Sequence, residues 1–205
     1  MALNFLKSVP FFLLLAVVMA GDPDILVDFI VPVNSTGKAI DGCFFTFTGM
    51  RNAINPDYPS NFTATKASVK EFPALDGQSV SFAFLEYPAG SINPPHTHPR
   101  SAELLLVVGG TLNVGFVDTT NKLYTQTLNL GDIFLFPKGM VHYQSNDDPK
   151  QPAAAIAAFG SANPGTISVP MSVFTSGIDD NILAKAFKTD VSTIMKLKAG
   201  LAPKA

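Results

Sequence analysis

From Ser79 onward the chain is written in short runs where bulky apolar and polar residues alternate. Ser79–Tyr87, Ser-Val-Ser-Phe-Ala-Phe-Leu-Glu-Tyr, has the period-2 rhythm of a strand with one buried face. Six further strand-like runs follow: Glu103–Val108, Thr111–Val117, Leu123–Leu128, Ile133–Phe136, Val141–Gln144 and Ala153–Phe159. Turn signals separate them at Gly109-Gly110, Asp118–Lys122, Gly131-Asp132, Pro137–Gly139 and Asp147–Pro152. With no helical periodicity between them, these strands predict an all-β-dominated antiparallel sandwich or barrel over residues 79–175.

The flanks are patterned differently. Asp22–Val33 is a short mixed segment, Asn34–Gly42 is polar and turn-rich, and Gly49–Pro59 breaks the alternation begun at Phe44–Thr48. Residues 21–78 therefore predict an N-terminal arm with short strands. In residues 176–205, Ile182, Leu183, Ala186 and Phe187 recur at helical spacing after Asp179-Asp180, and Val191, Ile194 and Met195 do so after Thr189-Asp190. The acidic pairs suit helix caps, so two short amphipathic helices are expected, Ile182–Phe187 and Val191–Lys198. Their apolar faces must be covered either by their own barrel or by a neighbouring subunit.

Composition narrows the class. With 205 residues, 47% apolar and 15% charged, the chain can bury a sizeable core and is not of the disordered type. Its 17 Phe add to the β tendency. A net charge of −2 without a basic run gives no electrostatic footprint for nucleic acid. There is no internal repeat and no low-complexity tract.

The first 20 residues read as a cleaved secretory signal: Lys7 at the start, an apolar run over Val9–Ala20, and small residues at Val18-Met19-Ala20. The run is short for a bilayer, so no membrane anchor is expected. Its removal takes one of the 14 bases and none of the 16 acids, moving the net charge from −2 to −3. Secretion gives meaning to two sequons, at Asn34 and Asn61, as glycosylation sites. Cys43 is the single cysteine, so no internal disulfide can form, and a buried thiol is expected rather than an intermolecular bridge.

The candidate chemistry lies in two compact stretches. Gly90–Gly110 holds His96, His98 and Glu103, and Gly131–Asn146 holds His142, the last of only three histidines. Residues two apart on an extended segment share a face, so His96 and His98 project together. Glu103 has the opposite parity, and the bend expected at Pro99–Ala102 lets it start the next strand facing inward. Three neutral imidazoles and a carboxylate, with coordination positions left for water, suit a near-octahedral divalent ion, Mn(II) or Fe(II), better than a closed zinc site.

These stretches resemble a known pair of motifs. Gly90-x5-His96-x-His98-x4-Glu103-x6-Gly110 is similar to the first cupin box of the plant germin-like proteins. Gly131-x5-Pro137-x-Gly139-x2-His142-x3-Asn146 is similar to the second. Asn93–Arg100 and the opening Asp22-Pro23-Asp24 look germin-like too. The resemblance implies a cupin-type jelly-roll β-barrel with interlocking C-terminal helices and a homo-oligomer, a hexamer built as a trimer of dimers. It also implies manganese, with Fe(II) second, and secretion to the apoplast or cell wall, with a role in defence or development.

Two departures from that pattern matter. Germins carry a disulfide near the mature N-terminus. Here Cys43 stands near one position and Ile30 at the expected partner, so the arm is unstapled and expected to open more easily. In the oxalate-oxidising germins two asparagines are thought to hold the substrate. Asn93 matches one and is the substrate-binding candidate, though Asn-Pro-Pro is also a good turn. Ala83 falls at the other, and its methyl cannot hydrogen-bond a dicarboxylate, which argues against oxalate oxidation. Superoxide dismutation, or a non-enzymatic structural or binding role in the wall, are the readings that remain.

Overall fold

The computed structural model describes residues 21–33, 37, 39–54 and 58–202. The signal segment and Asn34 lie outside the described residues. Among the described residues, ten strands form two five-stranded antiparallel sheets. One sheet contains β1 (Thr63–Ala67), β2 (Ser81–Tyr87), β9 (Ala153–Phe159), β4 (Glu103–Gly109) and β7 (Ile133–Phe136), in that order. The other contains β10 (Ile167–Ser168), β3 (Ile92–Thr97), β8 (Val141–Ser145), β5 (Thr111–Val117) and β6 (Leu123–Asn129). This is the all-β architecture the alternation predicts.

Alternation decides what each strand buries. On β2 the inward set is Ser81, Ala83, Leu85 and Tyr87, and on β4 it is Glu103, Leu105 and Val107. These meet Leu112, Val114, Leu128, Phe136 and the alanine-rich β9 in one core. At about 25 cal/mol per Å² of apolar surface, each large side chain so buried contributes roughly 1.5–3 kcal/mol. The small β9 residues let the flanking β2 and β4 bring bulkier groups inward. Gly110 ends the β4 strand at φ +67°, and a Cβ there would lie 2.6 Å from the Pro152 carbonyl oxygen, so glycine is required at this corner.

Three features differ from the sequence reading. The prolines of Ile92–Thr97 suggest a turn, yet this segment is β3. Its pairing with β8 carries a register shift between Asn93 and His96, and β10 reaches only Thr97 and His96, so the missing proline N–H groups cost no ladder bonds. Thr63–Ala67, inside the expected arm, pairs with β2 as an edge strand. A third helix, α1 (Val169–Phe174), precedes the expected two. Ser168 caps it and Pro170 sits in its first turn.

The expected helices are α2 (Asp180–Phe187), capped by the Asp179 side chain, and α3 (Val191–Leu201), capped by Asp190. Leu183, Ala184 and Ile194 form their own small core with Val173, Phe174 and Val191. The helices thus pack chiefly on one another, with α1 touching β3. Ile182, Phe187 and Met195 stay exposed.

The expectation of a buried thiol is corrected: Cys43 is exposed. It lies in the turn Gly42–Phe45, outside either sheet, where its N–H donates to the Asp41 side chain. The neighbouring aromatics pack on one another, Phe29 and Phe44 half-buried and Phe45 exposed. Phe29 and Phe44 each meet Phe45 edge-on at 5.0 Å, so ring contacts clip residue 29 to the 44–45 turn. Farther along, the Asp22 carboxylate accepts from Ser161 Oγ and the Ala162 N–H, both at 2.6 Å, fixing the start of the arm to the end of β9.

Candidate metal centre

The β-bulge in β3 creates the site. Between Asn93 and His96 the chain advances three residues while β8 advances two, from Gln144 to His142. Two residues of opposite parity are thereby turned to one face. Asn93 lies against Gln144, and His96 against His142 with ring centroids 4.1 Å apart. His98 follows immediately after β3. The turn at Pro99-Arg100 then delivers Glu103 as the first residue of β4, as its parity demands.

All four predicted ligands converge. One ligand atom from each of His96, His98, Glu103 and His142 lies within 4.8 Å of the others, and all four side chains are buried. Their tautomers are set by the backbone. His96 Nδ1 lies 2.8 Å from the Pro94 carbonyl oxygen and His142 Nδ1 2.9 Å from that of Met140, while His98 Nδ1 meets Gly165 O. A carbonyl can only accept, so each Nδ1 carries the proton and each Nε2 presents a lone pair inward.

Those lone pairs face a carboxylate. Glu103 Oε2 is 3.0 Å from His98 Nε2 and 3.1 Å from His142 Nε2. Two acceptors at that distance repel unless a proton or a cation lies between them, so this donor set fits a metal ion. Without a cation a bridging proton takes that place: burial would raise the Glu103 pKa, but proton-mediated hydrogen bonds to His142 and His98, and the charge they then carry, outweigh it and hold it down to about 2. Burial, then the charge of His142, pushes His96 down to about 4. At neutral pH the set therefore offers an ionised carboxylate and a neutral His96 ring, the forms that ligate.

A polar layer behind the ligands had no signal beyond the period-2 step from His142. Fully buried Gln144 donates from Nε2 to Glu103 Oε1 at 3.2 Å and accepts from Asn93 Nδ2 at 2.7 Å, fixing the carboxylate that ligates. Tyr87 is also fully buried. Its hydroxyl approaches Asn93 but makes no hydrogen bond among the described residues, and burial followed by the charge of Glu103 raises its pKa well above the ordinary value. Gly165, whose carbonyl orients His98, has φ +68°, and a Cβ there would strike the Arg100 guanidinium that holds the adjoining Asn163. Ala83 lines the cavity beside the ligands, and Asn61 is exposed on the edge before β1.

An antiparallel barrel with three histidines and a glutamate gathered inside defines a cupin whose centre can hold a metal. The Cupin family model matches residues 30–195. Germin-like protein 9-3 of Oryza sativa subsp. japonica is 64% identical over 193 residues, covering 92% of this chain and 90% of that protein. Putative germin-like protein 9-2 of the same plant is 62% identical over 92% of this chain and 89% of its own. A solved oxalate oxidase superposes with a TM-score of 0.78 at 30% identity, covering 90% of this chain and all of that one. The chain belongs to the germin-like proteins.

Proposed function

We propose that this is a secreted, manganese-binding germin-like protein of the plant apoplast or cell wall, serving defence or development and dismuting superoxide. The convergence of four ligand atoms within 4.8 Å, with every imidazole tautomer fixed by a carbonyl, carries the reading. A bound redox-active ion would supply the electron exchange by which two superoxide ions and two protons become dioxygen and hydrogen peroxide. His96, His98, His142 and Glu103 would hold it. Gln144 fixes Glu103, and Asn93 fixes Gln144, so the carboxylate cannot swing away as charge at the centre changes.

Structural likeness to an oxalate oxidase raises oxalate as an alternative substrate. Ala83 weighs against it, because its methyl faces the cavity where a second carboxylate would need a donor. A structural wall glycoprotein is the other alternative, favoured by the apolar outer face of the first sheet. Phe82, Leu104, Ile133 and Leu135 are exposed there, a surface suited to a second copy and thence to the hexamer that the family resemblance implies. Exposed Asn61, with Asn34, would carry the sugars.

The test is a metal-controlled assay on secreted, manganese-loaded protein. Superoxide loss that disappears in Glu103→Ala is expected, with no peroxide formed from oxalate. Oxalate turnover would overturn the weight given to Ala83. An intact oligomer with neither activity would leave the wall-protein role.

A further inference from the structure

The approach to the ligands is asymmetric. A cavity of about 130 Å³ opens beside them, with His96, His98 and Glu103 lining it along with the apolar Ala64, Ala83, Leu85 and Phe159. Its volume is well below the ~300–1,000 Å³ of sites for drug-sized ligands, so its occupant is small. Ser68, Ser81, Asn93 and Thr166 also line it, but the donors of the first three are engaged by Glu71, the Ser161 carbonyl and Gln144. The wall opposite the ligands is therefore chiefly hydrocarbon and offers little to a second polar group on the occupant.

One basic side chain is found in the lining of this cavity, Lys66. It is the cross-strand partner of Ala83, so its side chain leaves β1 on the face that carries the buried methyl, towards the barrel interior. Lys66 is exposed, and among the described residues its ammonium has no acid within ion-pair distance. Three neutral imidazoles, one carboxylate and a divalent ion would leave a single positive charge at the inner end. An unpaired ammonium in the same lining adds a second. Both attract an anion across low-dielectric walls.

We infer that this cavity selects a small monoanion with one acidic head and a compact apolar body, a short branched carboxylate being the simplest example. The head lies towards His96, His98 and Glu103, and the body against Ala83, Leu85 and Phe159. Lys66 draws the anion in. The inference rests on the metal reading and adds to it the class of molecule admitted.

The test is calorimetric titration of manganese-loaded protein with isobutyrate, its neutral isostere isobutyramide, and formate, with metal content measured in each sample. Isobutyrate should bind about tenfold or more tightly than either of the others, the amide lacking the charge and formate the body. Lys66→Met should weaken isobutyrate several-fold at low ionic strength and leave isobutyramide unchanged, the difference closing at high salt. Ala83→Asn should erase the advantage of isobutyrate over formate while metal content stays at the wild-type level. Full metal content with isobutyrate no tighter than formate, or a Lys66→Met protein with unaltered affinity and salt dependence, would overturn this inference alone. Protein that takes no metal would overturn the metal reading and this one together.

Discussion

His96 and His142 are direct partners across β3 and β8, their rings 4.1 Å apart, yet each Nδ1 is committed to a backbone carbonyl near its own position in sequence. Each ligand is thus aimed by an acceptor two residues before it, Pro94 within β3 and Met140 at the entry to β8. The arrangement is set by β-sheet register before any ion arrives, so a site held this way is preorganised.

Removing one ligand should therefore abolish tight binding without abolishing the fold. Loss of an outer partner already costs ~10–100-fold in metal affinity, and a ligand costs more. Titration of His142→Gln and Glu103→Gln against a chromophoric chelator should show affinity reduced by more than about 100-fold, with the β-type circular dichroism retained. Wild-type affinity in either variant would remove that residue from the coordination set.

Gln144→Leu tests the layer behind. It leaves the buried Glu103 Oε1 without its donor and removes the 2.7 Å acceptor of the half-buried Asn93 Nδ2. Such orphaned groups cost about 1–3 kcal/mol, readable by denaturant unfolding of the metal-free protein. Metal affinity should drop as well, by ~10–100-fold. Stability loss with unchanged affinity would make Gln144 a core residue only.

The ligands were legible because metal chemistry needs particular residue types, and histidine is scarce here. Glu103 could be aimed inward because the bend at Pro99 offsets its opposite parity to the histidine pair. The strands β5, β7 and β9 were bounded by their turn residues. Pro94-Pro95 concealed β3, because the shift that accommodates them depends on pairing with β8, which is a tertiary fact. Gln144 stayed invisible for a similar reason: nothing local distinguishes a glutamine under a carboxylate from one in solvent. Cys43 was misplaced because a cysteine's average burial says nothing about a turn that lies outside the sheets.

Acid should destabilise the metal-free protein in a defined window. The folded pKa of His96 is pushed from 6.5 to about 4, by burial first and then by His142. The unfolded chain therefore binds the proton first as pH falls. The stability held by neutral His96 is fully present above about 6.5 and is lost progressively towards 4. Glu103, depressed from 4.5 to about 2, loses its contribution over the lower range in the same direction. Thermal melts of chelator-treated protein should show Tm declining between these pH values, as the unfolding free energy loses on the order of 3 kcal/mol from His96. A Tm that rises as pH drops through this window would contradict the assignment of a neutral imidazole.

The arm should open independently of the barrel. Its phenyl rings at positions 29, 44 and 45 stand where no disulfide can form. Phe29→Ala should accelerate limited proteolysis within residues 29–54 several-fold, because cleavage there tracks local opening. Aspartate at position 22 remains tied to Ser161 and Ala162, so the barrel should keep its Tm. A matching fall in barrel stability would mean that arm and barrel unfold as one unit.

Tyr87→Phe should leave stability unchanged or raise it. The ring is fully buried, packs on Phe62 with centroids 4.9 Å apart, and carries a hydroxyl with no hydrogen-bond partner among the described residues. Deleting that oxygen retains the packing and removes a desolvated polar group, a change worth up to about 1 kcal/mol in favour of folding. The same oxygen lies close enough to Glu103 for the carboxylate's charge to disfavour its ionisation. It therefore acts as a neutral neighbour of the ligand, and its removal should leave metal affinity within about threefold of wild type, less than the loss expected for an outer partner. Destabilisation by more than about 1 kcal/mol would show that the hydroxyl is hydrogen-bonded in solution, to Asn93 or to an ordered water.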